Sequence, residues 1–395
     1  MNNQSIRENI HAEMYSLVAF RHELHRHPEL AFSETETTDR ICRELDKVGI
    51  AYKRMEPTGV VGELKGKKSV SDHVVLLRSD MDALEICEKT GLDFQSENSG
   101  LMHACGHDIH MTSLLGAVRF LYEHPEEYAG TIRFVFQPAE EIAAGAKRMI
   151  EQGVLEGVDH AVGLHVSPSL PVGMVSAMPG ACWASCDSFM ITVHGMSSHG
   201  ATPQNGHDAI VAASAIVMAL QTLASRETDP HSAFVLTVGS ISAGSAYNII
   251  AGKAELLGTC RTFSRELHAE LPEKIRRVAE NTAAAYGCSA ELEYEIFAEP
   301  LCCDPDTTAL GLKSAAKVIG TDNAVPGEPT MIAEDFCYYA ECAPSVFFTL
   351  GTRANDGGTV YPLHSDRVVF DESSIEVGAA VLAQTAIDLL DAFTA

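Results

Sequence analysis

Two apolar runs, residues 73–78 and 131–136, each break off at carboxylates, and this pairing constrains the fold more than any other feature. The first ends at Ser79-Asp80-Met81-Asp82 and the second at Gln137-Pro138-Ala139-Glu140-Glu141. Short apolar runs bounded in this way read as buried strands. Between them, residues 112–122 have the apolar density of a helix, so 105–110 fall just before or within its first turn. Strand, helix, strand predicts a parallel sheet, and such sheets collect ligands beyond the carboxyl ends of their strands. Residues 160–165 read as one more strand, delivering His165 to the same edge.

At 395 residues the chain exceeds the size at which a single core stays stable, which predicts two domains. Ile6, Ile10, Met14, Leu17 and Val18 recur at helical spacing. A second helix runs through Ile41, Leu45 and Val48 to Gly49, with Ser33 and Glu36 as a capping box. After Pro179-Gly180 the texture changes to strand 189–193, helix 208–223, strands 233–238 and 254–261, helix 266–286 and strand 290–294. That order, βαββαβ, is the plan of a small ferredoxin-like domain, placed at 185–300. The strand 347–351 and the helix 373–390 then return to the first domain, which comprises 1–184 and 301–395. The expected fold class is therefore α/β, with a mostly parallel central sheet flanked by helices and an inserted ferredoxin-like domain.

With 28 basic and 54 acidic residues the formal charge is -26, which repels nucleic acid and anionic lipid alike. No basic start followed by an apolar core marks residues 1–21 as a signal peptide, and no apolar run looks long enough to span a bilayer. Eleven scattered cysteines, an odd number, fit reduced thiols in a cytoplasm better than paired bridges.

The chemistry concentrates in Met102-His103-Ala104-Cys105-Gly106-His107-Asp108-Ile109-His110 and in Glu140-Glu141. Thiol, imidazole and carboxylate are the side chains that hold borderline divalent metals. Each has an ordinary alternative: a cysteine in a turn is commonly a small buried residue, and a histidine near a helix start can simply bond locally. Spacing favours the metal. Cys105 and His107, two apart in a turn, can reach one side, and a thiolate can be shared between two cations. Two adjacent carboxylates after a strongly apolar strand need a cation nearby, and one can bind metal while the other takes a proton from water. A redox role for Cys105 lacks a C-x-x-C partner.

The set Arg78-Ser79-Asp80-Met81-Asp82-Ala83-Leu84, the 102–108 motif, Gln137 to Glu141, Gly163-Leu164-His165 and Pro362-Leu363-His364 resembles the M20 metallopeptidase family, in its amidohydrolase branch. The resemblance runs from His25 to Glu372, with the motifs in the same order. It implies a two-domain enzyme with two divalent ions per chain on the catalytic domain, and a lid domain that forms a homodimer. Zinc or manganese suits the donors best, and nickel or cobalt could also bind. By motif position Cys105, His107, Glu141, His165 and His364 would be the metal ligands, with Cys105 bridging. Glu140 would be the general base and Asp82 would orient the site. His199 would meet the oxyanion from the lid, and Asn248 and Arg261 would hold the substrate's carboxylate or carbonyl.

The implied reaction is hydrolysis of the amide of a small N-acyl-L-amino acid, hippurate-like or N-acetylated, to a carboxylate and a free amino acid. A dipeptidase or an N-acetyl-diaminopimelate deacetylase would use the same centre, and a silent binding protein would keep only the fold. Departures from the family pattern, such as Pro203-Gln204 and Ala251-Gly252, fall in the lid motifs and leave the acyl group and amino acid open.

Overall fold

The computed structural model describes residues 4–392; residues 1–3, within the stretch read for a signal peptide, and 393–395 lie outside it. The chain divides into two compact units. The first is built from the residues up to 180 together with 302–328 and those from 335 onward; the second comprises 181–301 and 329–334.

The first unit opens with α1 (Gln4–Arg26) and α2 (Thr35–Val48). On α1 the helical-spaced Ile6, Ile10 and Leu17 are buried, with Met14 and Val18 packed beside them. Helix α2 ends as its sequence predicts, at Gly49 with φ 83°, whose N–H bonds the Leu45 and Asp46 carbonyls. Its start differs from expectation. Ser33 does not cap it; the N-cap position is Glu34, whose side chain makes no capping bond. Instead the Glu29 carboxylate accepts the N–H groups of Glu36 and Thr37 at 3.2 and 2.7 Å. A charged acceptor satisfies these orphan donors and also favours the positive end of the helix dipole.

There follow β1 (Tyr52–Arg54), β2 (Val60–Lys65), β3 (Val74–Asp80), α3 (His107–Glu123), β4 (Thr131–Gln137), α4 (Gly145–Glu151), β5 (His160–Pro171) and β6 (Val175–Ala177). Strand β7 (Gly180–Trp183) leads out of the first unit. The second unit runs β8 (Cys186–His194), α5 (Ala209–Thr222), β9 (Phe234–Ala243), β10 (Lys253–Thr262), α6 (Arg265–Ala285) and β11 (Ser289–Ala298). The chain returns through β12 (Leu301–Cys303) to α7 (Pro305–Ile319), β13 (Ala324–Pro326), α8 (Cys337–Cys342), β14 (Ser345–Arg353) and α9 (Ser374–Ala392).

The large sheet has the order β1-β2-β4-β3-β5-β14-β6-β13. Its centre, β4-β3-β5-β14, is parallel throughout, and antiparallel pairs lie toward the edges. Strand β3 is buried from Val75 to Asp80 on both faces, which is why its sequence is a continuous apolar run rather than an alternation. Register then positions the chemistry. Arg78 pairs with Gly163 and Asp80 with Gln137, so two residues further along β5 His165 comes level with the end of β3.

In the second unit the sheet order is β11-β8-β10-β9, every pair antiparallel, which is the ferredoxin-like arrangement. Alternate residues of β8, Phe189, Ile191 and Val193, are buried in a core with α5 and α6. Residues 329–334, expected in the first domain, join this unit. Ala184 donates its N–H to Thr330 and Ile332, and Thr330 donates to Cys182. One further expectation changes: α5 with the turn after it, Ala209–Glu227, is long and apolar enough to cross a bilayer by length and composition. Ala209, Ala212, Ala213, Ile216 and Leu220 on one face are packed in this unit's core.

Candidate metal centre

Three loops at the carboxyl ends of the parallel strands bring the predicted residues together. After β3, the Asp82 carboxylate accepts the N–H groups of both Glu140 and Glu141, each at 3.0 Å, and so clamps the loop after β4. That loop turns at Ala139, φ 55°, whose N–H is held by Glu34 Oε1 at 2.9 Å. The two carboxylates are therefore aimed by backbone bonds. Before α3, Gly106 takes φ 85°, and a Cβ there would lie 2.4 Å from Val166 Cγ2. Only glycine lets the turn close with Cys105 and His107 directed at β5. The third loop presents His364 at φ 63°, with its N–H bonded to the Ala104 carbonyl at 3.0 Å.

The donors form two groups that share one atom. Cys105, His107 and His165 have potential ligand atoms within 4.8 Å of one another, and so do Cys105, Glu141 and His364. Cys105 Sγ lies 3.3 Å from His165 Nε2. His107 Nε2 lies 3.8 Å from Glu141 Oε1 and 3.9 Å from Glu140 Oε2, while His364 Nε2 is 3.6 Å from Glu141 Oε2.

The hydrogen bonds select tautomers suited to a metal. His107 Nδ1 donates to the Asp82 carbonyl at 2.8 Å and His165 Nδ1 to the Val166 carbonyl at 2.8 Å, so in each ring Nε2 is the atom left to face the donor group. His107 Nε2 and Glu141 Oε1 are buried and have no hydrogen-bond partner among the described residues, a costly arrangement that a cation relieves. Charge points the same way. Burial, then Glu141, Glu140 and Asp80, push the Cys105 thiol well above its usual range, and burial raises Glu141 to about 7. His107 moves oppositely: burial lowers it, but Asp80, Asp82 and Glu141 outweigh this and raise it to about 10. The cluster holds more negative potential than its own cations balance, which fits divalent ions.

Sequence reasoning missed the supporting network. Asp80 and His110 join His107 in a further group of possible donors. Both His110 nitrogens are nevertheless engaged: Nδ1 donates to Asp80 at 2.6 Å and Nε2 accepts the Val166 N–H at 2.9 Å. Arg78, fully buried, donates to Gln137, Asp80 and Asp335 at 2.8, 2.7 and 2.7 Å and ties β3 to β4. The alternation of Arg78 and Asp80 at the end of β3, continued by Asp82 just beyond it, was the available signal.

The remaining predicted residues lie in the second unit. Exposed His199 bridges to Ile249, and its neighbour Gly200 donates to the Asn248 carbonyl at 2.8 Å, so His199 and Asn248 share one loop pair. His199 Nδ1 accepts the Ala201 N–H at 3.0 Å. Arg261, near the end of β10, donates to Thr259 Oγ1 and the Cys260 carbonyl at 2.6 and 2.9 Å and is not brought to this loop pair by any such bond.

Comparison with known proteins adds the family. The model of peptidase family M20/M25/M40 matches residues 76–388. An N-acetylcysteine deacetylase of Bacillus subtilis (strain 168) is 38% identical over 377 residues, covering 95% of this chain and 97% of that protein. An IAA-amino acid hydrolase of Arabidopsis thaliana is 37% identical, over 94% of this chain and 86% of that protein. Among solved structures, a dinuclear metal binding peptidase from the M20 family of Bacillus subtilis superposes with a TM-score of 0.84 at 36% identity, covering 96% of this chain and 99% of that one.

Proposed function

The chain belongs to peptidase family M20/M25/M40 and is a hydrolase of amide bonds, and on that premise we propose that it cleaves N-acyl-L-amino acids to a carboxylate and a free amino acid. The observation that carries the reading is the pair of donor groups joined at Cys105, with Glu140 beside them. Similarity to the N-acetylcysteine deacetylase and the IAA-amino acid hydrolase supports an acylated amino acid as substrate.

In this reading Cys105, His107, Glu141, His165 and His364 would hold two divalent ions, zinc or manganese by the mixture of donors. When bound, the ions supply a Lewis acid for the amide carbonyl and make water acidic enough to attack at neutral pH. Glu140 would take the proton from the attacking water and return it to the departing amine. Asp82 fixes both glutamates through their N–H groups and orients His107 through its own carbonyl. His199 stabilises the oxyanion, and Asn248 and Arg261 hold the substrate's carboxylate or carbonyl.

The second unit serves as lid and dimerisation domain. On α5, Ile210, Val211 and Met218 are exposed, and β9 is an edge strand with Ile241 exposed, features that suit a second copy of the chain. No disulfide joins the cysteines among the described residues, which supports a reducing, cytoplasmic setting. A dipeptidase is the second reading, because the similar Bacillus subtilis structure is described as a peptidase.

Two measurements test the proposal. A panel of hippurate, N-acetyl amino acids, N-acetyl-diaminopimelate and dipeptides is expected to give turnover on simple N-acyl amino acids; activity confined to dipeptides overturns the substrate class. Glu140→Gln is expected to lower kcat by about 10²–10⁴-fold or more while metal content stays near wild type. Loss of metal in that variant would make Glu140 a ligand rather than the base.

A further inference from the structure

In a chain of formal charge -26, a concavity lined by three cationic side chains is a local concentration of positive charge. One such cavity, of about 410 Å³, lies in the first unit between residues 89–90, 353–361 and 367–371, and none of the proposed metal donors lines it. Lys89, Arg353 and Arg367 face it. Lys89 is engaged, its Nζ lying 2.6 Å from Asp366 Oδ2. Arg353 and Arg367 make no salt bridge or side-chain hydrogen bond among the described residues, and Asp366 acts on Arg367 only at longer range.

The two acids in the wall accept hydrogen bonds from neutral groups and keep their charge. Asp356 Oδ1 accepts the Gly358 N–H at 2.8 Å, and Asp371 Oδ1 accepts the N–H and hydroxyl of Ser373 at 2.9 and 2.6 Å just before α9. Two exposed guanidinium groups therefore border one concavity with no direct ion-pair partner among the described residues. Guanidinium forks match phosphate and carboxylate oxygens in pairs, and Thr359 and Tyr361 add hydroxyls to the same wall. The volume falls in the range of roughly 300–1,000 Å³ that small molecules occupy. The sheet also anchors one of the two cations. Arg353 ends β14, and its backbone pairs with Pro171 of β5.

We propose that this cavity binds a small organic anion with a dianionic head, a phosphate monoester or a dicarboxylate, and that its occupancy adjusts turnover through the loop carrying His364. The wall runs as far as Tyr361, three residues before His364 along the chain. His364 is held at φ 63° by a single backbone bond to Ala104, the neighbour of Cys105. An anion drawing Arg353 and Arg367 together therefore acts on the segment that presents one proposed ligand.

The binding part stands independently of the amidohydrolase reading, and only the kinetic part rests on it. Calorimetric titration of the metal-loaded enzyme with glycerol 2-phosphate and with glutarate tests the first. Saturable binding of one probe is expected, weakened at least about tenfold in the Arg353→Ala/Arg367→Ala variant and also weakened in Arg367→Gln alone. The probe that binds more tightly assigns the head group. Binding of neither, or binding that survives both substitutions and so belongs to the metal centre or the general surface, overturns the site. With substrate saturating, the bound probe is expected to change kcat in wild type and not in the double variant, whose turnover without probe stays within about twofold of wild type. Simple competition with substrate, or no kinetic effect of the bound anion, overturns the coupling.

Discussion

Asp82 joins three of the proposed functional residues with atoms of one side chain and one carbonyl. Its two carboxylate oxygens take the N–H groups of Glu140 and Glu141, and its backbone oxygen sets the tautomer of His107. Partners of this kind govern ligand orientation without touching metal. Asp82→Ala is therefore expected to weaken metal binding by about 10–100-fold and to lower kcat, with the fold retained. Competition against a chromophoric chelator measures it, and unchanged affinity would show that the glutamate loop holds its shape unaided. His110 makes the complementary point. Its place in the motif resembles that of a ligand, yet both nitrogens are committed to Asp80 and Val166, a fact that spacing alone could not reveal.

At the scale of elements, helix α2 separates a sequence signature from its structural outcome. The capping-box pattern is present, but Glu29 reaches the same donors with a full charge. Glu29→Ala is expected to cost about 0.5–2 kcal/mol, whereas Ser33→Ala, at an exposed position, should stay within about 0.5 kcal/mol of wild type. Urea unfolding of both variants separates the two caps. In the second unit, buried His268 of α6 joins Asp187 of β8 and Glu299, with nitrogen to oxygen distances of 2.7 Å to each. Burial lowers its pKa, but the two carboxylates outweigh this and raise it above the ordinary histidine value. A raised histidine contributes stability fully below its unfolded pKa and loses it as pH rises through the folded value. Urea midpoints should therefore fall as pH rises from about 6 through that value, and His268→Gln should remove this part of the slope. An equal slope in the variant would sink the assignment.

For the whole molecule, the proposed assembly rests on the second unit. An apolar helix face beside an edge strand is a surface that monomeric proteins seldom leave bare. Sedimentation equilibrium is expected to give a dimer for wild type, and charges placed on this face, as in Met218→Glu with Ile241→Glu, should shift it to monomer. A monomeric wild type would refute the dimer and leave the chemistry of the first unit untouched. The same surface explains why α5 satisfies a membrane criterion by composition: its inner face belongs to the core, and its outer apolar residues suit a partner.

The apolar run of β3 and the carboxylates that end it determined by themselves that a parallel sheet would carry acids at one edge, because a strand buried on both faces cannot alternate. The βαββαβ order of the second unit was equally legible, since helical and strand periods differ. Local pattern also marked Cys105, His107, Glu140 and Glu141 as candidates. Bringing His165 and His364 to Cys105 was decided by strand register and by a loop bonded to Ala104, which depend on residues remote along the chain. So was the segment 329–334, whose hydrogen bonds go to residues 182 and 184. Proximity between distant segments is a product of packing, and no local periodicity encodes it.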